Sequence, residues 1–172
     1  RQYGYIEPCG CTGLENQKGG LMRRDSLLEK IRARGWDVVA LDIGNQVRRE
    51  GKQSEIKFDW TSRSLVEMEY TATTYGHDDL KLSVDSLIYS LINSPTDEQG
   101  NPNPIFVTAN VSVFEDFDVR FKVFNAGNKK IGITAVLGEE GLENLKPYLG
   151  PDGVRVSESN AALRKVCEQL KA

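Results

Sequence analysis

The sequence predicts an α/β domain, a layered β-sheet sandwich flanked by helices, and three observations carry that expectation. Amphipathic helical stretches alternate with short apolar, β-branched runs, the pattern of strands joined by crossover helices. Two of those runs, residues 36–43 and 105–111, are nearly continuous, as expected of strands covered on both faces. Late in the chain a turn signal, Asn125-Ala-Gly-Asn128, separates two alternating segments and predicts a hairpin.

The elements follow in order. Residues 3–6 read as the end of a strand. Gly19-Gly20 then precedes Leu21, Met22, Leu27, Leu28 and Ile31 with charged residues between them, an amphipathic helix closed by Gly35. Residues 36–43 form the next strand, ended by Gly44-Asn45. Helical spacing returns over 55–70 through Ile56, Trp60, Leu65, Val66 and Met68, followed by a brief strand at 71–75 and a helix over 84–92. Pro95, Pro102 and Pro104 mark 93–104 as an exposed loop, because proline removes donors and disfavours helix before it. Strands at 105–111, 117–124 and 130–137 come next, then a short helix over 142–149, a turn at 151–153 and a helix over 160–170. On that last helix Leu163, Val166, Cys167 and Leu170 share the apolar side, which puts Cys167 in the core. Trp36, Trp60 and Phe58 are expected as core or interface aromatics. One domain is expected across residues 1–172, incomplete at both ends.

Composition bounds the chemistry. The chain has 172 residues and a formal net charge of −3, so it offers no broad electrostatic attraction for nucleic acid or an anionic membrane. No apolar run approaches the ~20 residues of a membrane-spanning helix. Its one histidine, His77, excludes a histidine-rich metal centre built from this chain alone.

In such sheets ligands gather at the carboxyl ends of strands. Four loops occupy that position: 7–20, 42–46, 76–79 and 109–112. The first carries Cys9 and Cys11, too tightly spaced for a redox Cys-x-x-Cys and without the second pair of a zinc site. A soft one-metal site, a strained or loop-pinning disulfide, a redox pair and two partly buried thiols all fit that spacing. The other loops hold Asp42-Ile-Gly-Asn45, Gly76-His-Asp-Asp79 and Ala109-Asn110. A turn reading competes for Gly76-His-Asp-Asp79, in which an Asp caps a helix beginning near Leu80 or Ser83. Arg23, Arg24, Arg48 and Arg49 are candidates to bind an anion bidentately, or are solvated cations on helix and loop faces.

Taken in this order, Arg1-Gln-Tyr-Gly-Tyr-Ile-Glu-Pro8, Gly19-Gly-Leu-Met-Arg23, Leu41-Asp-Ile-Gly-Asn45, Gly76-His-Asp-Asp79, Ala109-Asn110 and Lys130-Ile-Gly-Ile133 resemble the calcineurin-like metallophosphoesterase superfamily, in its extracytoplasmic 5'-nucleotidase-like branch. The branch reads Asp-x-His-Gly-x-x-x-Pro, Gly-Gly-x-x-Arg, Leu-x-Asp-x-Gly-Asp, Gly-Asn-His-Glu, Ala-Asn and Lys-Ile-Gly-Ile. The framework agrees over nearly the whole chain, and the chemical positions do not. A two-metal centre needs a bridging carboxylate and hard or imidazole ligands around metals about 3.5–4 Å apart. Arg1 and Tyr3 stand where the family has its first Asp and His. Asn45 replaces the bridging Asp, and His77-Asp78 replaces the Asn-His pair.

The resemblance implies a degenerate domain, acting as a binding or architectural module of a larger exported protein in the periplasm or cell envelope. No cofactor is assigned to that reading. Its alternative is a divergent phosphoesterase with catalytic His77 and Asp78, using a divalent Mn, Fe or Zn held by Asp42, Asn45, Asp78 and Asp79 with further downstream ligands. In either case Arg23, Arg24 and Asn110 are the expected anion-binding set. A third reading is a redox module on Cys9 and Cys11. The run from Gly4 to Gly20 also resembles nucleotidase-like domains of exported proteins that carry multihaem cytochrome segments, which makes such segments, or other domains of a longer chain, the expected partners. Neither nucleic acid binding nor membrane insertion is expected.

Overall fold

A computed structural model describes residues 1–8, 13–17, 19–92, 96, 103–140, 142–150 and 153–171. Helix α1 (Leu21–Arg32) starts after Gly20, whose φ of 91° and contact with Pro8 leave no room for a side chain. It buries Leu21 and Leu28 and keeps its charged residues outward. Lys30 and Arg32 complement the negative end of the helix, and Arg32 also donates to the Met68 carbonyl at 2.8 Å. That bond joins the end of α1 to the end of α2 (Lys52–Glu67).

Helix α2 buries Phe58, Thr61, Ser62 and Leu65, spaced so that one stripe faces the core. Phe58 and Leu65 are wholly inaccessible. Sealing each from water is worth about 1.5–3 kcal/mol. Phe58 leans on Phe106 at 5.7 Å between ring centroids, and Phe106 stacks on Tyr75 at 4.6 Å. These rings bind the helix layer to the strand layer. Helix α3 (Val84–Ile92) lies beside α2 and inserts Leu87 and Leu91.

The strand layer is a parallel ribbon of very short pairings. Leu41 pairs with Ala72, Thr73 with Phe106, and Val107 with Val119. The lanes are held by Thr71 N–H to Ala40 O at 2.9 Å, Thr73 N–H to Ile105 O at 2.8 Å and Val107 N–H to Thr73 O at 2.8 Å. The ribbon continues through Ala109 N–H to Ala135 O at 2.7 Å. Strands β1 (Val111–Ser112) and β4 (Arg155–Val156) pair antiparallel. Strands β2 (Lys122–Ala126) and β3 (Lys129–Ile133) form the hairpin, with Ala126 opposite Lys129 and Gly127 at φ 57° in the turn. Helix α4 (Ser159–Lys171) follows β4.

Several expectations need correcting. Residues 36–43 are not covered on both faces: Val38 and Ala40 pack inward, while Val39, Leu41 and Ile43 are 37%, 50% and 63% exposed. A continuous apolar run cannot show which face finds a partner. Of the three expected core or interface aromatics, Phe58 is in the core, while Trp36 and Trp60 lie on the surface. Cys167 is exposed, because α4 buries only Val166 among the residues that share its apolar side. The segment 117–124 divides into a 3-10 turn at Glu115–Phe117, a bridge at Val119 and β2. Residues 3–6 form no strand; Tyr3 has a φ of 52° and sits in a turn. Most of the 93–104 loop, and two residues of the 151–153 turn, lie outside the described residues.

Candidate functional site

Two strand-end loops, 42–47 and 76–79, meet face to face. Gly44 has a φ of 78°, and a Cβ there would collide with the backbone of Gly76. A Cβ on Gly76 would in turn strike the Asn45 side chain. Only glycine permits this approach from either side. Asn45 adopts φ 53°, and its Oδ1 accepts the Asp78 N–H at 3.1 Å. Asparagine tolerates that left-handed backbone, and its neutral oxygen here serves as a loop clamp.

Asp79 completes the junction. It is wholly buried, accepting Val47 N–H at 3.1 Å on Oδ1 and Gly76 N–H at 2.9 Å on Oδ2. Burial pushes its pKa up to about 7, against the opposing pull of those amide donors. The helix-cap reading of Asp79 is therefore replaced by a cross-loop role: its carboxylate reaches back to Gly76 and across to Val47. Asp78 starts the 3-10 turn Asp79–Lys81 without a side-chain cap bond and pairs with Lys81 at 2.9 Å. His77 is half-buried, and its Nε2 is sealed from water without a hydrogen-bond partner.

Asp42 lies on the other side of the junction. One oxygen accepts Gly44 N–H at 3.0 Å and Gln46 Nε2 at 2.7 Å. The other receives Arg24 Nη1 at 3.1 Å and the Arg1 amino nitrogen at 3.2 Å. Arg24 also donates to Gln2 Oε1 at 2.8 Å. Gln46, fully buried, escaped the sequence reading, although its place four residues after Asp42 on the same loop was a usable signal. Arg1 donates to the Tyr3 hydroxyl at 3.2 Å, and that bond, with one from Asn45, holds the Tyr3 pKa below its ordinary value.

The structure thus brings Arg1, Tyr3, Asp42, Asn45 and Asp78 to one place. Their chemistry does not suit a pair of divalent cations. Asp42 already pairs with Arg24 and accepts from Gly44 and Gln46, Asp79 is committed to backbone amides, and Asp78 holds a lysine. No group of three or more His, Cys, Asp or Glu side chains among the described residues could hold a metal ion. Cys9 and Cys11 lie outside the described residues.

The anion set divides. Arg23 and Arg24 line an open groove of about 1000 Å³ with Arg1, Lys30, Tyr5 and the Gly19-Gly20 turn. None of its described lining residues is acidic. Asn110 does not join them: its Nδ2 donates to Leu137 O at 2.9 Å and Ser157 O at 3.2 Å, and its Oδ1 accepts Leu137 N–H at 2.8 Å. It fastens the 105–110 strand end to the segments beside it. Arg48 and Arg49 are exposed and lie outside the groove lining. Lys30 and Tyr5 were missed as lining residues, because nothing local in the sequence shows which face of α1 the chain start will cover.

No family model matches the sequence, and no curated protein matches it. Solved structures do. A 5'-nucleotidase precursor from Thermus thermophilus superposes with a TM-score of 0.71 at 18% identity, over 98% of this chain and 32% of that one. The NAD nucleotidase NadN of Haemophilus influenzae gives 0.68 at 17% identity, over 99% and 30%. The sulfate thiohydrolase SoxB of Thermus thermophilus, solved with glycerol, gives 0.64 at 12%, over 90% and 28%. All three are calcineurin-like metallophosphoesterases, and the fold described above is theirs. The chain spans about a third of the length of each.

Proposed function

We propose that this chain is a nucleotidase-type metallophosphoesterase fold used for binding rather than hydrolysis, taking a phosphate-bearing ligand in the Arg1, Arg23, Arg24 and Lys30 groove. The observation that carries this reading is the state of Asp42. A carboxylate at the end of a ribbon strand, the place where this fold would hold cations, is instead paired with Arg24 on one oxygen and accepts Gly44 N–H and Gln46 Nε2 on the other. The carboxylates are committed internally, while guanidinium and ammonium groups face an open groove that suits an anion. A role as a binding or architectural module of a longer exported protein accords with the nucleotidase precursor among the structures it matches. No described helix is long and apolar enough to cross a membrane.

The test is direct. The purified chain should take up less than stoichiometric Mn, Fe or Zn and show no turnover of nucleotides, phosphodiesters or model phosphomonoesters above a buffer control. It should bind adenosine monophosphate in a salt-sensitive manner. Stoichiometric metal with substantial hydrolysis would overturn the proposal.

The buried, unpartnered Nε2 of His77 favours a second reading, a divergent phosphoesterase in which His77 and Asp78 act once further ligands are supplied. A buried polar nitrogen without a partner carries a free-energy cost of about 1–3 kcal/mol, and function is one reason for such a cost to persist. That reading requires metal-dependent hydrolysis by a longer chain, removed by Asp78→Ala.

A further inference from the structure

The hairpin carries a lysine on its inward face. Along β2 the burial alternates, so that Lys122, Phe124 and Ala126 are half-buried while Val123 and Asn125 are exposed. Lys122 and Phe124 line a cleft of about 430 Å³ together with Val66 of α2, Tyr70, Ile105 and Val123. That size falls within the roughly 300–1,000 Å³ of small-molecule sites. The cleft opens where the ribbon segments begin, at Thr71 and Ile105, whereas the 76–79 loop and Asn110 stand where the same segments end. It shares no described lining residue with the groove beside α1.

Lys122 has no counterion in this cleft. None of the described lining residues is acidic. Burial holds the lysine pKa below its ordinary value, and no neighbouring charge among the described residues offsets that effect. An unpaired cation partly withdrawn from water carries a cost that an incoming anion relieves. The walls narrow the choice of anion. An inorganic ion would satisfy the ammonium and leave Val66, Ile105 and Phe124 uncovered, while a plain hydrocarbon would cover them and seal the ammonium from water without a partner.

We propose that this cleft binds a small organic carboxylate, its charged end paired with Lys122 Nζ and its apolar body laid against Val66, Ile105 and Phe124. The site is independent of the phosphate reading of the groove. Tyr70 is shared between the two regions, since the Arg24 guanidinium lies 5.7 Å from its ring centroid, and it is left intact in the test.

The experiment titrates the chain with phenylbutyrate and, separately, with its neutral counterpart phenylbutanol, following backbone amide shifts by NMR. Phenylbutyrate should shift the amides of Ile105, Val123 and Phe124 and saturate. The alcohol should bind at least about tenfold more weakly, the scale of a lost charge-assisted bond. Lys122→Met, which replaces a half-buried cation with an apolar side chain of similar length, should fold with an undiminished Tm and bind acid and alcohol alike. Binding of neither compound to the native chain would overturn the proposal, and so would equal affinity for both. Shifts confined to residues 19–30 would also overturn it, assigning the carboxylate to the groove. The comparison of acid with alcohol uses the native chain, so it decides the matter whatever Lys122→Met does to folding.

Discussion

The junction of the 42–47 and 76–79 loops and the groove beside α1 lie on opposite sides of Asp42, and they are built on opposite terms. In the junction almost every polar atom has an internal partner, the backbones touch through glycines, and Asp79 is sealed from water. In the groove the charged lining residues are all cationic, with Arg1, Arg23 and Lys30 exposed and Arg24 partly buried against Asp42. Arg24 belongs to both, neutralising Asp42 on one side and lining the groove on the other. The contrast teaches that the same carboxylate, Asp42, can close a loop with one oxygen and anchor a groove cation with the other.

The harshest way to break the contrast is to open the junction. Gly76→Ala places a methyl against Asn45 and should lower stability by more than about 3 kcal/mol, read as a drop in denaturation midpoint. Next comes Asp79, whose pKa rises on folding from 3.8 to about 7. The native state then holds a proton that the unfolded chain has released between those values. Its contribution is greatest at low pH, declines by up to about 1.4 kcal/mol per pH unit across that interval, and is absent above it. Asp79→Asn should flatten this decline in urea titrations between pH 4 and 7; an unaltered slope would assign it to other groups.

Arg24→Met leaves Asp42 with Gly44 and Gln46 as donors, so the loss should be about 2 kcal/mol rather than that of an abandoned buried charge. It should also weaken adenosine monophosphate binding. Arg23→Gln separates the two regions most sharply. It removes a positive charge near the positive end of α1, so stability should move by less than about 0.5 kcal/mol. Binding of adenosine monophosphate, followed by calorimetry, should still fall several-fold, and the salt dependence should become shallower. Equal affinity in that variant would place the ligand elsewhere.

Much of this was legible because spacing constrains local structure strongly. The periodicity of α1, α2 and α3, the glycine after α1 and the 125–128 turn all correspond to elements in the structure. What sequence could not give were facts of mutual arrangement. Cys167 shares an apolar stripe, yet α4 is covered only at Val166. Asp79 looks like a helix cap because cap and cross-loop clamp require the same residue after the same turn. Asn110 looks like an anion ligand because an amide at a strand end suits either a ligand or a neighbouring backbone, and only the approach of Leu137 and Ser157 decides between them.

The surface position of both tryptophans has a practical optical consequence. Trp36 and Trp60 are 64% and 58% exposed, and the Arg63 guanidinium lies 5.8 Å from the Trp60 ring. Both indoles emit from a watery environment before any unfolding begins, so the emission maximum of the native chain already sits near that of the denatured one. Intrinsic fluorescence is then a poor reporter of melting for this molecule and a good reporter of anything that settles on its surface, with Trp36 marking the start of the 36–43 segment and Trp60 the outer side of α2.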